Sequence, residues 1–156
     1  MTYYSGYLPF DLLNGTGVRN TIFFSGCEHY CKGCFSKKTW SFTNGKPYTS
    51  EIENRIISDL NNAEKPLDGL SILGGEPLHP RNIETVIKLC ERVKNECQGK
   101  NIWLWTGYEL SNFTTSQKRI LSLVDVIVDG KFIQEKSSKK LKFRGSSNQI
   151  IHVLNV

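Results

Sequence analysis

The sequence predicts an α/β protein built on a mostly parallel sheet, and three observations carry that expectation. Short apolar runs rich in β-branched residues recur at Thr21 to Phe24, Leu70 to Leu73, Ile102 to Thr106, Val124 to Val128 and Ile150 to Leu154. Helical patterns lie between them, and strands alternating with helices in this way form βαβ units that bind ligands at the carboxyl ends of their strands. The length of 156 residues suits one well-buried core and is short for two, so residues 1–156 are read as a single domain.

The elements follow in order. The run Thr21 to Phe24 leads into a loop over Ser25 to Phe35. Ser50 and Glu53 form a capping-box pattern around Ile52, Ile56, Ile57 and Leu60, whose spacing puts them on one helical face. After the second run come Gly74, Gly75, Glu76 and Pro77. A second helix begins near Pro80, carries Ile83, Val86, Ile87, Cys90, Val93 and Cys97 on one stripe, and ends at Gly99. Cysteine in such a stripe acts as a small hydrophobe, so Cys90 and Cys97 read as core. Trp103 and Trp105, two apart on one run, share a side of their strand and also read as core. A shorter helix over Ser116 to Leu123 turns Ile120 and Leu121 inward.

Composition narrows the class. No low-complexity tract or repeat interrupts an ordinary mixture of apolar and charged residues. The start, MTYYSGYLPFDLLNG, lacks the charged and apolar regions of a secretory signal, and no apolar stretch is long enough to span a bilayer, so a cytoplasmic protein is expected. Formal charge is +5, from 20 Lys and Arg against 15 Asp and Glu. Part of that excess lies in Lys131 to Arg144, which holds Lys136, Lys139, Lys140 and Lys142. Such a segment meets nucleic acid, meets an acidic partner, or is simply a solvated loop, the commonest case.

Five cysteines is an odd number, and three of them, Cys27, Cys31 and Cys34, crowd into the stretch CEHYCKGC. In a reducing compartment this clustering favours metal binding over disulfides. Structural zinc wants four ligands, and the candidates for a fourth are His29 and His79, in a spacing that fits no common zinc pattern. Three thiolates can instead hold a four-iron cluster by three corners, leaving one iron open to a substrate or cofactor. The Gly74-Gly75 pair lets the backbone approach a ligand closely. In a parallel sheet it lies at the same carboxyl edge as the cysteine loop.

CxxxCxxC after one strand with Gly-Gly-Glu-Pro after the next resembles the radical S-adenosylmethionine (SAM) enzymes. Further stretches sharpen the likeness: Asp11 to Arg19 running into Phe24-Ser25-Gly26-Cys27, Trp105 to Tyr108, Val128 to Phe132, and Arg144 to Gln149. These are similar to the activases of glycyl-radical enzymes, in particular those serving anaerobic ribonucleotide reductase. The resemblance implies two cofactors, one 4Fe-4S cluster ligated by Cys27, Cys31 and Cys34, and SAM on the open iron. Gly33, Cys34 and Phe35 would line the adenosyl side, the Gly74 backbone would hold the methionine amino group, and Asp129 and Lys131 match a polar position near SAM. No catalytic side chain is implied beyond the cluster and SAM site.

The implied fold is a partial, open β/α barrel, since a closed eight-stranded one takes about 250 residues. Reductive cleavage of SAM would yield a 5'-deoxyadenosyl radical that abstracts hydrogen from a glycine of the reductase. The implied partners are the reductase's large subunit as protein substrate and a low-potential electron donor such as reduced flavodoxin. A second activase reading changes only the substrate, to pyruvate formate-lyase for example. A zinc-binding nucleic-acid module would leave Gly74 to Pro77 unexplained.

Two departures stand out. Many radical SAM enzymes carry an aromatic residue where this chain has Gly33, which leaves Phe35 or Tyr30 to shield the cluster or stack on adenine. The terminal stretch SSNQIIHV also lacks an arginine after Gln149. Among other polar residues, Glu76 either contacts SAM or caps the second helix. Arg19 either orients a carboxylate, docks a partner or faces solvent. His29 is expected to be exposed in the cysteine loop.

Overall fold

In the computed structural model, which describes residues 1–155, parallel strands occupy the middle of a seven-stranded sheet. The strands are β1 (Tyr3–Asp11), β2 (Arg19–Phe24), β3 (Lys46–Pro47), β4 (Gly69–Gly74), β5 (Asn101–Trp105), β6 (Val126–Asp129) and β7 (Ile150–Val153). Their order across the sheet is β3-β1-β2-β4-β5-β6-β7. β2, β4, β5 and β6 run parallel, while β1, β3 and β7 are antiparallel additions at the two edges. The sheet does not close on itself, as the partial barrel requires.

The sequence pattern misses β1, and the reason is in its composition. Gly6 and Pro9 are both depleted in strands, and β1 tolerates them because its register against β2 slips twice, between Tyr4 and Gly6 and between Leu8 and Asp11. In the second slip the Phe10 N–H leaves the ladder and donates to Asn20 Oδ1 at 3.1 Å.

Helices cover one face of the sheet. α1 (Ser50–Leu60) buries Ile52, Ile56, Ile57 and Leu60, and α2 (Ile83–Glu96) buries Ile83, Val86, Ile87, Leu89, Cys90 and Val93. Both pack on Ile22, Phe24, Leu70, Ile72, Ile102, Leu104 and Ile127. Cys90 and Cys97 are core residues. The opposite face carries a smaller cluster of Trp103, Val126 and Val128, with Trp105, Phe143 and Ile151 against it. Alternation along each central strand thus divides a helix-covered side from a side that faces the barrel interior.

The helix starts differ from the sequence reading. Thr49 is the N-cap of α1, with no side-chain cap bond, and Ser50 is the first helical residue. Glu53 is buried instead, accepting from Tyr48 Oη at 2.9 Å and Arg92 Nη1 at 3.2 Å, which joins α1 to α2. α2 runs from Ile83, three residues beyond Pro80, after a turn in which Asn82 N–H and Ile83 N–H donate to His79 O, and the side chain of its N-cap Asn82 donates to the Ser25 and Glu76 carbonyls. The third helix is short: α3 (Thr115–Lys118) opens with a Thr114–Gln117 capping box and tightens into a 3-10 turn over Arg119–Ser122. Ile120 is buried there and Leu121 partly so.

Arg19 faces neither solvent nor a partner; it is 0% exposed. Its guanidinium donates to Ser71 Oγ at 2.7 Å, Leu70 O at 2.9 Å, Asn101 Oδ1 at 2.6 Å, Asn101 O at 3.2 Å and Thr16 O at 3.2 Å. One side chain therefore ties β2, β4 and β5 together at their amino ends. Burial lowers its pKa to about 10, with Asp68, Asp125 and Asp11 opposing, so it stays protonated at neutral pH.

Replacing Arg19 by Ala leaves several of these acceptors buried without donors, and should cost about 3–5 kcal/mol. Urea unfolding of the cluster-free protein measures this as a lowered midpoint. A pH effect follows from other buried groups. Burial holds Cys90, Tyr7 and Tyr48 well above their ordinary ionisation ranges and also raises Cys97. Each keeps its proton more tightly folded than unfolded, so stability is full below the ordinary thiol value of 9.0 and falls as pH rises beyond it. The thermal midpoint should hold up to about pH 9 and drop between there and about pH 10.5.

Candidate functional site

Two loops at the carboxyl edge of the sheet are zipped together by their backbones. The loop after β4 donates Gly75 N–H to Phe24 O at 2.9 Å and Glu76 N–H to Gly26 O at 2.7 Å. Gly74 has φ 135°, and any side chain there would collide with the Phe24 backbone. Only glycine permits so close an approach. The cysteine loop is fixed from its other end by Gly26 N–H to Thr39 O at 2.6 Å and Cys27 N–H to Trp40 O at 3.2 Å.

Cys27, Cys31 and Cys34 border one cavity of about 160 Å³. Much of its remaining wall comes from the carboxyl ends of the central strands: Leu73 to Gly75 at the end of β4, Trp105 to Gly107 at the end of β5, and Val128 and Gly130 at the end of β6. Three soft thiol donors on one side, with glycine backbone on the other, fit an iron-sulfur cluster held by Cys27, Cys31 and Cys34. Drug-sized ligands occupy about 300–1,000 Å³, so a bound SAM would extend from this cavity into the open mouth of the barrel.

Burial pushes the Cys27 thiol up to about 11, with the nearby Glu76 charge and the other thiols adding to the effect. Binding iron must therefore expel a firmly held proton. Among the described residues, no three His, Cys, Asp or Glu side chains converge closely enough for a single metal ion. His29 and His79, the possible fourth ligands of a zinc site, each face a carboxylate instead.

The carboxylate facing His29 belongs to Glu76, which is 0% exposed. Its Oε1 accepts from Gly107 N at 2.7 Å and lies 2.7 Å from His29 Nε2. Its Oε2 accepts from Thr106 Oγ1 at 2.7 Å and Leu78 N at 2.9 Å. With four partners the carboxylate is saturated, so Glu76 neither caps α2 nor offers an oxygen to the cavity. It braces the loops after β2, β4 and β5 against one another. His29 is half-buried rather than exposed, packed edge-on against Tyr108 with ring centroids 4.6 Å apart. A second brace lies alongside: His79 Nδ1 accepts from Arg81 N at 3.1 Å, so Nε2 carries the proton donated to Glu28 Oε1 at 2.6 Å.

The other candidates divide. Gly33 turns left-handed at φ 76°, with Gln134 packed where its side chain would be. Phe35 is 90% exposed and rests on Phe132 with ring centroids 5.7 Å apart. Tyr30 is 62% exposed and leans on Trp40. Asp129 points to the opposite side of β6 from its neighbours Val128 and Gly130, and its carboxylate accepts from Leu110 N at 2.7 Å beside His152. Lys131 is exposed, its carbonyl accepting from Asn148. The structure thus brings Cys34 and Gly74 to the cysteine cavity, and places Asp129 and Lys131 away from it.

Several lining residues were missed by sequence reasoning, Trp40 among them. Trp105, read as core, lines the cavity and anchors its Nε1 on Phe143 O at 2.7 Å. Phe132 and Gln149 also line it. Gln149 Oε1 accepts from Gly145 N and Ser146 N, and its Nε2 donates to Gly130 O. Both lie in stretches the sequence had singled out, but nothing in one sequence gave them a role.

Comparison with known proteins agrees with the geometry. Residues 13–152 match the family model of a 4Fe-4S single cluster domain. The chain is 51% identical over 149 residues to the anaerobic ribonucleoside-triphosphate reductase-activating protein of Vibrio cholerae, covering 96% of each chain. It is 46% identical over 151 residues to the protein of that name from Escherichia coli K12, covering 97% of this chain and 98% of the other. It is also 40% identical over 146 residues to that of Enterobacteria phage T4, with 94% and 90% covered.

The brace is testable. Glu76→Gln replaces one acceptor oxygen by an amide that faces donors already in place, which should cost about 2–4 kcal/mol in the cluster-free protein. Iron and sulfide bound after anaerobic reconstitution should fall below half the unsubstituted level, with Cys27, Cys31 and Cys34 all intact.

Proposed function

The chain belongs to the radical SAM family of anaerobic ribonucleoside-triphosphate reductase-activating proteins, and we propose that Cys27, Cys31 and Cys34 hold its 4Fe-4S cluster while the Gly74 backbone receives the methionine end of SAM. When bound, the cluster would supply the single electron for reductive cleavage of SAM, the chemistry that leads to hydrogen abstraction from a glycine of the reductase. The observation that carries the assignment of residues is the meeting of all three cysteines and the Gly74-Gly75 turn on one cavity.

The chain's own residues divide the work. Cys27 is the buried anchor, and Cys31 and Cys34, half-exposed, complete the thiolate face. Trp105, Val128 and Phe132 give the cavity an apolar wall that keeps water from the reacting end of the ligand. Glu76 and His29 hold the two loops at fixed separation. The unclosed side of the sheet leaves room for a glycine-bearing segment of the reductase's large subunit. A low-potential carrier such as reduced flavodoxin supplies the electron. No helix among the described residues is long and apolar enough to cross a membrane, and the cytoplasm is the compartment we assign. One sheet with its helices on one face supports reading the chain as a single domain.

Anaerobically reconstituted protein, reduced and given SAM and the reductase, should release 5'-deoxyadenosine and leave a glycyl radical visible by electron paramagnetic resonance. Cys31→Ala should reduce both to background. Retention of SAM cleavage in that variant would overturn the ligand assignment, and a radical formed on pyruvate formate-lyase but not on the reductase would reassign the substrate.

A further inference from the structure

We infer that the outer side of the cysteine loop and the segment 131–144 together form a docking face for an acidic one-electron carrier protein, an inference that rests on the cluster assignment above. The two segments meet at several points. Lys32 Nζ lies 3.9 Å from Glu135 Oε1, Gly33 packs on Gln134, and the Phe35 ring sits on Phe132. Phe35 also shares a cleft of about 440 Å³ with Lys139, Leu141 and Arg144.

The charge on this face is one-sided. Residues 27–40 and 131–144 contain nine Lys and Arg against two Glu, which leaves eleven basic and thirteen acidic residues in the rest of the chain. The positive excess of the whole protein therefore resides in these two segments. Both acidic residues are already engaged, Glu28 with His79 and Glu135 beside Lys32. All eight lysines of the two segments are exposed.

A solvated loop accounts for the lysines but not for Phe35. That ring stands 90% exposed beside Lys139 and Arg144, immediately after Cys34 in the chain. Phe35 stacked on Phe132, with Lys139 and Arg144 at its edge, has the aromatic centre and polar rim of a contact patch. Position then selects the partner. The inner side of the three cysteines faces the cavity and Gly74, where SAM belongs, so an electron must arrive from the outer side, through residues 31–35. One electron leaves the carrier and enters the cluster, with no bond made or broken. Redox encounters use small, short-lived interfaces whose association is driven by complementary charge. A basic rim calls for an acidic partner. Nucleic acid satisfies the charge but brings no electron.

The test uses reconstituted holoprotein carrying Lys136→Glu, Lys139→Glu, Lys140→Glu and Lys142→Glu, with Lys37→Ser/Lys38→Ser as a milder second variant. Cluster reduction is followed by stopped flow with reduced flavodoxin as the probe, and separately by deazaflavin photoreduction. The expected result is a fall of about 10-fold or more in the flavodoxin rate at low salt, with a flattened salt dependence, while photoreduced SAM cleavage is unchanged. An unaltered flavodoxin rate overturns the docking face. A glycyl-radical yield lost under photoreduction places the reductase there instead, and loss of nucleic-acid binding alone assigns the face to nucleic acid; either result overturns it. Failure of the unsubstituted protein to cleave SAM after photoreduction would instead overturn the cluster assignment.

Discussion

The carboxylate of Glu76 is buried, charged and surrounded by donors from three different loops, and the geometry of the cysteine cavity depends on it. Taking a carboxylate out of water costs several kcal/mol unless its lone pairs are satisfied. Here Gly107 N, Thr106 Oγ1, Leu78 N and His29 Nε2 all point at it. Because each donor comes from a fixed backbone or a short side chain, the loops after β2, β4 and β5 cannot separate without stripping that carboxylate of its hydrogen bonds. The brace fixes the walls while keeping its own oxygens out of the cavity.

That arrangement leaves the ligand-facing surface to backbone and sulfur. Gly74 and Gly75 offer peptide groups without side chains, and the thiols stand opposite. Arg19 performs a comparable service at the far end of the same strands, where it joins β2, β4 and β5 through neutral acceptors. A buried cation at the amino ends and a buried anion at the carboxyl ends pin the parallel strands in register. The helices contribute the apolar pressure on one face, and the edges are finished by antiparallel strands.

Much of this was legible from the chain. The parallel strands and α1 and α2 show their periodicity because one face of each is uniformly apolar. The cysteine spacing and Gly74 to Pro77 point directly to the carboxyl edge. What sequence could not resolve is parity and partnership. Alternation says that Trp103 and Trp105 share a face, but not that this face borders the cavity. The same parity turns Asp129 away from the cavity while Val128 and Gly130 line it. The polar residues Arg19, His29 and Glu76 looked like surface or ligand positions because their partners lie up to 82 residues away in the chain. β1 hid behind Gly6 and Pro9, whose effect on a strand depends on where the bulges fall.

Gly33 brings these threads together. An aromatic side chain at that position would have to adopt φ 76°, a conformation that bulky residues avoid, and would strike Gln134. The loop turns left-handed here because the segment after β6 crosses directly outside it. That segment supplies an aromatic of its own: Phe132 lines the cavity and carries Phe35 on its outer side. With glycine at position 33, rings reach the cavity from Trp40 at the end of the cysteine loop and from Phe132 in the segment after β6. Because Phe132 belongs to a lysine-rich segment, this part of the cavity's apolar cover and the basic outer rim are two sides of one structural element.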